Sequence, residues 1–531
     1  MHKDSRLYRR LLKIASIPSV SPSSEGENKA TQALYDELAQ TDYFRKNPED
    51  IKLLPLEGDR LKRHFLFGMV RAQKPTSETV VLLGHMDVVS VEMFGSLREF
   101  AFSPEEYTSR LDSTSLGEDG AKDLLSGKWL FGRGVADMKS GVCGAMELLM
   151  ETAEDPSSTE VNLAVLFVPD EENNSLGMLS AAPFLAKLQD EGLSFRCCID
   201  TEPTFATGED AKPTVYLGSL GKINPFFYCV GVKAHAGEYY DGFSVGPTMA
   251  RIALAIDGNP SLSDELDGTM YPPYAALKVD DMRDEYSATI MSRCAMAFSY
   301  LTSTKMPPEI MAELKSIAQE SLDRSIEEHE RAKKAYREQN GMALSPSCLS
   351  GAVYSVKEIM DLAESRGIVP VISEEGDERA RGMETVSRLV DDLEMEGPLV
   401  VVGFLPPWYP HRSNMADIEG DPEVKEAASK LREKAVEQGL EMDIRTMFEG
   451  VSDLSYCGFT GTPEEARAFE DNMPGGRAIY SFPTDELLKL AIPILNFGPV
   501  GKDAHKRSER LYLPFYLDHY VNLLRYLVKS I

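Results

Sequence analysis

Five short stretches hold side chains that could act on one substrate together. They are His85 and Asp87 in "VVLLGHMDVVS", Asp137 in "FGRGVADMKSG", Asp170, Glu171 and Glu172 in "LFVPDEENNS", Asp200 and Glu202 in "CCIDTEPT", and His505 in "GPVGKDAHKRSER". Two imidazoles with three or four carboxylates can hold two divalent ions if one carboxylate bridges them. Zinc is the expected occupant of such a mixed nitrogen and oxygen set, and manganese or cobalt would also suit so oxygen-rich a shell. Paired ions acidify a shared water and polarise a carbonyl. A carboxylate beside them, but not bound to them, must then take the water's proton and pass it to a leaving amine. The adjacent Glu171 and Glu172 can divide those two jobs. Read singly, each stretch is ordinary: a lone H-x-D is common, Asp137 serves as a helix N-cap, and two neighbouring glutamates form a solvated loop.

The elements that must position these residues are strands and helices in alternation. Apolar runs predict strands over 64–71, 79–83, 161–168 and 195–199, and helical periodicity predicts helices over about 4–15, 25–40, 138–153 and 178–190. Such alternation argues for an α/β fold with a mainly parallel, layered sheet. Ligands collect beyond the carboxyl ends of strands in sheets of this kind, so the acidic stretches and His85 could face one crevice. "PILNF" supplies a further strand end before His505. From about 216 the texture changes to paired strands, a helix in "SVGPTMARIALAID", and a long charged helix over 307–340 with a narrow stripe of Ile310, Leu314, Ile317, Leu322 and Ile326. A terminal helix is expected over about 514–531. The expected organisation is a catalytic domain in two parts, 1–215 and 406–531, around an inserted α+β domain at 216–405.

Composition narrows the function classes. At 531 residues the chain exceeds what one core normally organises. Its formal net charge of -29 argues against a nucleic-acid or acidic-membrane partner. Charges interrupt the amino-terminal stretch too often for a signal-peptide core, and no uncharged apolar run reaches membrane-spanning length. Seven cysteines without a C-x-x-C pair fit a reduced, cytoplasmic compartment, with Cys197 and Cys198 read as buried, inert thiols.

Taken in order, "SIPSVSPSSEGE", "GHMDVV", "FGRGVADMKSG", "PDEENNSLG", "TEPT", "GKINPFFYCVGVKAHAGEYYDGF" and "GPVGKDAHKRSE" resemble the dinuclear-zinc peptidases and deacylases. That family includes aminoacylase, acetylornithine deacetylase, succinyl-diaminopimelate desuccinylase and glutamate carboxypeptidases, and the long insert looks most like the arginine-utilisation branch. The resemblance implies a zinc-peptidase catalytic domain with a lid domain that could carry a homodimer contact. It makes His85 a terminal ligand of one metal, with Asp87 orienting its ring from behind. Asp137 becomes the bridging ligand, Glu171 the general base, Glu172 a ligand of the other metal, Glu202 the remaining ligand of the first, and His505 the last. Asp200 competes with Glu202, because residues two apart share a face of a strand. His235 in "KAHAGEYYDG" resembles the lid histidine offered to the substrate oxyanion, often across a dimer interface; a turn histidine capping the next segment is the competing reading.

The implied activity is hydrolysis of an amide or peptide bond in a small N-acyl amino acid or dipeptide, in arginine or amino-acid catabolism. Two rivals are a non-enzymatic amino-acid-binding paralogue and a dinuclear phosphoesterase. The retained Glu171 counts against the first, and the lack of a glycine-rich phosphate loop against the second. Two departures from the family stand out. His85 and Asp137 are 52 positions apart because 98–129 is inserted, which is expected to decorate the cleft rim, and the lid is enlarged by the 307–340 helix. Ser452 and Asp453 in "EGVSDLSYCG" are read as structural. His329 is read as a solvated surface residue, and His2, His64, His411 and His519 receive no role.

Overall fold

The computed structural model describes residues 4–205, 212–282, 287–343, 349–414 and 421–531, so His2 and Cys348 lie outside the described residues. The chain divides into two units. The first comprises Met1–Leu220, Arg412–Thr460 and Asp485–Ile531, the second Gly221–His411 and Gly461–Thr484.

The first unit is built on an eight-stranded sheet. Its order is Ile51–Pro55, His64–Val70, Asn162–Val168, Glu78–His85, Ser194–Asp200, Ile494–Asn496, Thr214–Tyr216 and Asp443–Arg445. Glu78–His85 pairs in parallel with Asn162–Val168 on one side and Ser194–Asp200 on the other. Ile494–Asn496 continues the parallel set, whereas His64–Val70 runs antiparallel to Asn162–Val168. The central strands are apolar on both faces, because helices such as Arg6–Ala15, Lys139–Glu154 and Val521–Ser530 bury them in one core.

A second, four-stranded sheet was not legible in the sequence. It orders Trp129–Phe131, Arg510–Tyr512, Val500–Lys502 and Thr204–Phe205. Each of these short strands lies a few residues from a candidate ligand: Trp129–Phe131 leads to Asp137, Thr204–Phe205 follows Glu202, and Val500–Lys502 precedes His505. The small sheet thus brings together three stretches that the large sheet alone would leave independent.

The helix Lys139–Glu154 lies close on the large sheet because glycine permits it. A Cβ on Gly141 would stand 2.1 Å from the Thr201 carbonyl oxygen, and one on Gly84 would stand 2.9 Å from Val142 Cγ2. This close approach sets Asp137, just ahead of the helix, beside the carboxyl ends of the neighbouring strands.

The second unit holds a five-stranded sheet ordered Ala275–Asp280, Arg293–Thr302, Gly221–Val230, Leu399–Tyr409 and Ala352–Ser355. The expected division at 405/406 would cut Leu399–Tyr409, which is one continuous buried strand, and the chain leaves this unit only after His411. Likewise the entry falls at Gly221, where the long strand Gly221–Val230 begins, not at 216. Gly461–Thr484, expected with the catalytic part, belongs here because Phe469 stacks on Phe404 and Trp408 at ring-centroid distances of 5.8 and 4.7 Å. The 307–340 helix is observed as Pro307–Gln339. His329 on that helix is buried, contrary to expectation. It falls three residues after Ile326 and so extends the apolar stripe, with its ring 5.4 Å from Phe243 and 5.6 Å from Tyr240.

Candidate metal centre

Strand ends explain most of the site. Glu78–His85 lies between its two parallel neighbours, so His85 finishes the central strand while Asp170–Glu172 and Asp200–Glu202 follow the flanking ones. His85 is almost fully buried, and its Nδ1 lies 3.0 Å from the Asp87 backbone oxygen and 3.6 Å from Asp87 Oδ1. Its Nε2 lies 3.1 Å from Asp137 Oδ1, 3.2 Å from Glu202 Oε1 and 4.0 Å from Glu171 Oε2. The other oxygen of Asp137 faces the second histidine: Oδ2 is 3.2 Å from His505 Nε2, which is also 3.0 Å from Glu172 Oε2. Asp137 therefore spans two half-sites, one with His85 and Glu202, the other with His505 and Glu172.

Asp87 does more than face the imidazole. Its two carboxylate oxygens accept the backbone amides of Glu171 and Glu172 at 3.2 and 3.1 Å, fixing the turn that carries both glutamates. Glu202 rather than Asp200 reaches His85. The strand ends at Asp200, and period-two alternation ends with it; Thr201 folds back so that its hydroxyl donates to the Leu83 carbonyl at 2.8 Å.

Electrostatics follow from burying so many carboxylates together. Burial, reinforced by the charges of Glu172, Asp453 and Glu202, pushes Glu171 well above the usual carboxylate range. Burial also pushes up Glu202 and Glu172, each with Asp137 as the next cause. Burial opposes ionisation of Asp137 as well, but hydrogen bonds to His505 and His85 outweigh it and hold this carboxyl low. The hydrogen bonds of His505 to Asp137 and Glu172 push it up to about 11. His85 is raised well above its ordinary value despite its burial, by the charge of Glu202 and the hydrogen bond to Asp137.

This donor set fits a pair of divalent cations. Asp87, Asp137, Glu171, Glu172 and Glu202 are five carboxylates gathered around two imidazoles, and divalent cations would favour their ionised forms where burial alone opposes them. Ligand atoms of His85, Glu171 and Glu202 lie within 4.8 Å of one another, as do those of His85, Asp137 and Glu172.

Three further residues belong to the surroundings, two of them unassigned in the sequence reading. Glu509 is fully buried; its Oε1 accepts the amides of Ala136 and Asp137 at 3.2 and 3.3 Å, and its Oε2 meets Arg133 at 2.6 Å. Arg133 also donates to the His505 carbonyl at 3.1 Å, so one ion pair braces both sides of the Asp137 bridge. Their only sequence signal is proximity to Asp137 and His505. Asp453, read as structural, is buried, and its charge is felt at Glu171; burial and then Asp200 push its own carboxyl well up. His235 lies in the second unit. It is exposed, and its Nδ1 accepts the Gly237 amide at 3.1 Å, so it caps the turn Ala236–Asp241.

The model of Peptidase family M20/M25/M40 matches residues 81–531, which includes every candidate ligand. The chain belongs to this family. Among relatives of this M20 chain, the protein YqjN of Bacillus subtilis (strain 168) is 30% identical over 523 residues, covering 96% of this chain and 93% of that protein. Protein RocB of the same strain is 26% identical over 540 residues, covering 99% of this chain and 94% of its own length. The fold is also that of a tripeptidase from Staphylococcus aureus subsp. aureus mu50, with a TM-score of 0.52, 14% identity, and coverage of 99% of this chain and 96% of the other. The M20 chain is thus of a peptidase- and deacylase-type hydrolase family with a mixed α/β fold. Among the described residues no helix is long and apolar enough to cross a membrane, and the six cysteines are all buried free thiols.

Proposed function

We propose that this M20 chain is a dinuclear metallohydrolase that cleaves an amide or peptide bond in a small N-acyl amino acid or dipeptide. The observation that carries the reading is Asp137, whose two oxygens face different histidines at 3.1 and 3.2 Å, with Glu171 at 4.0 Å from His85 beside that bridge. His85 and Glu202 would hold one ion, His505 and Glu172 the other, and Asp137 would be shared. Bound divalent ions, with zinc the first expectation and cobalt or manganese as substitutes, supply Lewis-acid polarisation of the carbonyl and a water of lowered pKa.

The chain's own residues do the rest. Glu171, buried and pushed above the ordinary carboxylate range, accepts the proton of the attacking water and returns it to the departing amine. Asp87 holds the Glu171 amide and so fixes the base in place. By resemblance to the family, His235 is assigned to the oxyanion, and the inserted domain to lid and homodimer contact. Free thiols in all six described cysteines support a reduced, cytoplasmic setting.

A hydrolysis screen tests this reading. N-acyl amino acids and dipeptides, with arginine derivatives in the first panel, are offered to protein loaded separately with zinc, manganese or cobalt. Metal-dependent release of a free amine is expected. Tight binding of an amino acid without turnover would identify a non-enzymatic binder, and turnover confined to phosphoesters would identify a different hydrolase.

A further inference from the structure

The 98–129 insert packs against the loop that carries His505, not merely along a rim. That loop, residues 503–509, joins Val500–Lys502 to Arg510–Tyr512, and the antiparallel register closes it with Lys502 opposite Arg510. Both closing residues are cations with buried side chains, 3% and 0% exposed. Buried cations need partners, and here the insert supplies two carboxylates beside Asp503 of the loop itself, which also meets Arg510. Asp119 and Asp123 lie one turn apart on the same face of the helix Glu118–Ser126. Lys502 Nζ lies 3.0 Å from Asp119 and 3.1 Å from Asp123, while Arg510 meets each at 2.7 Å.

The insert also grips the loop above its base. The Tyr107 hydroxyl donates to the Arg507 carbonyl at 2.6 Å, and the Arg507 guanidinium donates to the Ser115 carbonyl. His505 itself has a positive φ of 65° and a side chain 53% exposed. Packing therefore does little to hold the imidazole, and its place follows from the backbone of the loop.

We propose that Asp119 and Asp123 of the insert are positioning residues for His505, holding the base of its loop so that the imidazole meets Asp137 and Glu172. The proposal rests on the two-ion reading of the centre. Its consequence is selective: the half-site containing His505 depends on the insert, whereas the half-site containing His85 is held by the large sheet.

The experiment uses the full chain carrying Asp119→Asn and Asp123→Asn, with Tyr107→Phe as a milder variant that removes one hydroxyl. On metal-stripped protein, hydrogen exchange of 503–509 should accelerate in both variants, more in the double one, while exchange in Glu78–His85 stays unchanged. Zinc titration against a chelating indicator should show one of two equivalents weakened about 10- to 100-fold in the double variant, with the other unchanged. Unchanged loop exchange in both variants overturns the proposal, as does equal weakening of both equivalents. Failure of the unsubstituted chain to bind two ions would instead remove the two-ion reading, and the exchange measurement would then decide the positioning role by itself. Should the double variant fail to fold, Tyr107→Phe carries the same two readouts.

Discussion

At the residue scale, Glu171 and Glu172 are adjacent yet placed for different work. Glu172 contacts His505 at 3.0 Å, whereas Glu171 approaches the centre through His85 at 4.0 Å. Glu171→Gln keeps the shape and removes the base, so metal content by elemental analysis should be unchanged while kcat falls about 100- to 10,000-fold. The imidazoles give a pH prediction. His505 is raised to about 11 by Asp137 and Glu172, so it is protonated in metal-free protein at neutral pH, and His85 is shifted in the same direction by Glu202 and Asp137. Metal ligation needs them neutral, and binding must expel their protons. Apparent affinity should therefore rise with pH across the neutral range. Calorimetry in buffers of different ionisation enthalpy should detect protons released on binding; a pH-independent affinity would contradict the pairing.

At the element scale, the site depends on how closely one helix lies on the sheet. Gly141→Ala would set a methyl 2.1 Å from the Thr201 carbonyl oxygen, a backbone atom that cannot swing aside. The helix Lys139–Glu154 must then shift, carrying Asp137 away from Glu202. A stability loss of about 1–3 kcal/mol in denaturant unfolding is expected, together with weaker metal binding. The sequence reading recovered strands and helices whose periodicity is local, such as Asn162–Val168 and Pro307–Gln339. It missed Trp129–Phe131 and Arg510–Tyr512 and ran Ile494–Asn496 into Val500–Lys502 as one strand, because three residues carry no readable alternation and exist as strands only through their partners. His329 was misjudged for a related reason: charged neighbours along the chain concealed a stripe that helical geometry continues by one more turn.

At the scale of the whole molecule, every candidate metal ligand lies in the first unit, and His235 lies in the second. Without cations the clustered carboxylates of the first unit must take up protons or repel one another, so the stability of that unit should follow the metal. Stripping with a chelator should lower its thermal transition and leave that of the second unit in place. Restoring an ion at a free concentration 100 times its Kd should return about 2.7 kcal/mol per site. Differential scanning calorimetry of stripped and reloaded protein reads this directly, and a single transition indifferent to metal would refute it.

The sequence by itself determined the chemistry available: two histidines and a set of carboxylates, each tied to the end of a locally readable element, in an order that resembles one family. Those features survive in a one-dimensional reading because apolar runs and the polar residues that end them are neighbours along the chain. Only the tertiary structure decided which strand ends meet, that Glu202 and not Asp200 approaches His85, that Glu509 and Arg133 brace the Asp137 bridge, and that the insert grips the His505 loop. Lys502 and Asp119 are 383 positions apart, and Arg133 and Glu509 are 376 apart. Such pairings arise from strand register and from buried charges finding partners, and neither leaves a local trace in the chain.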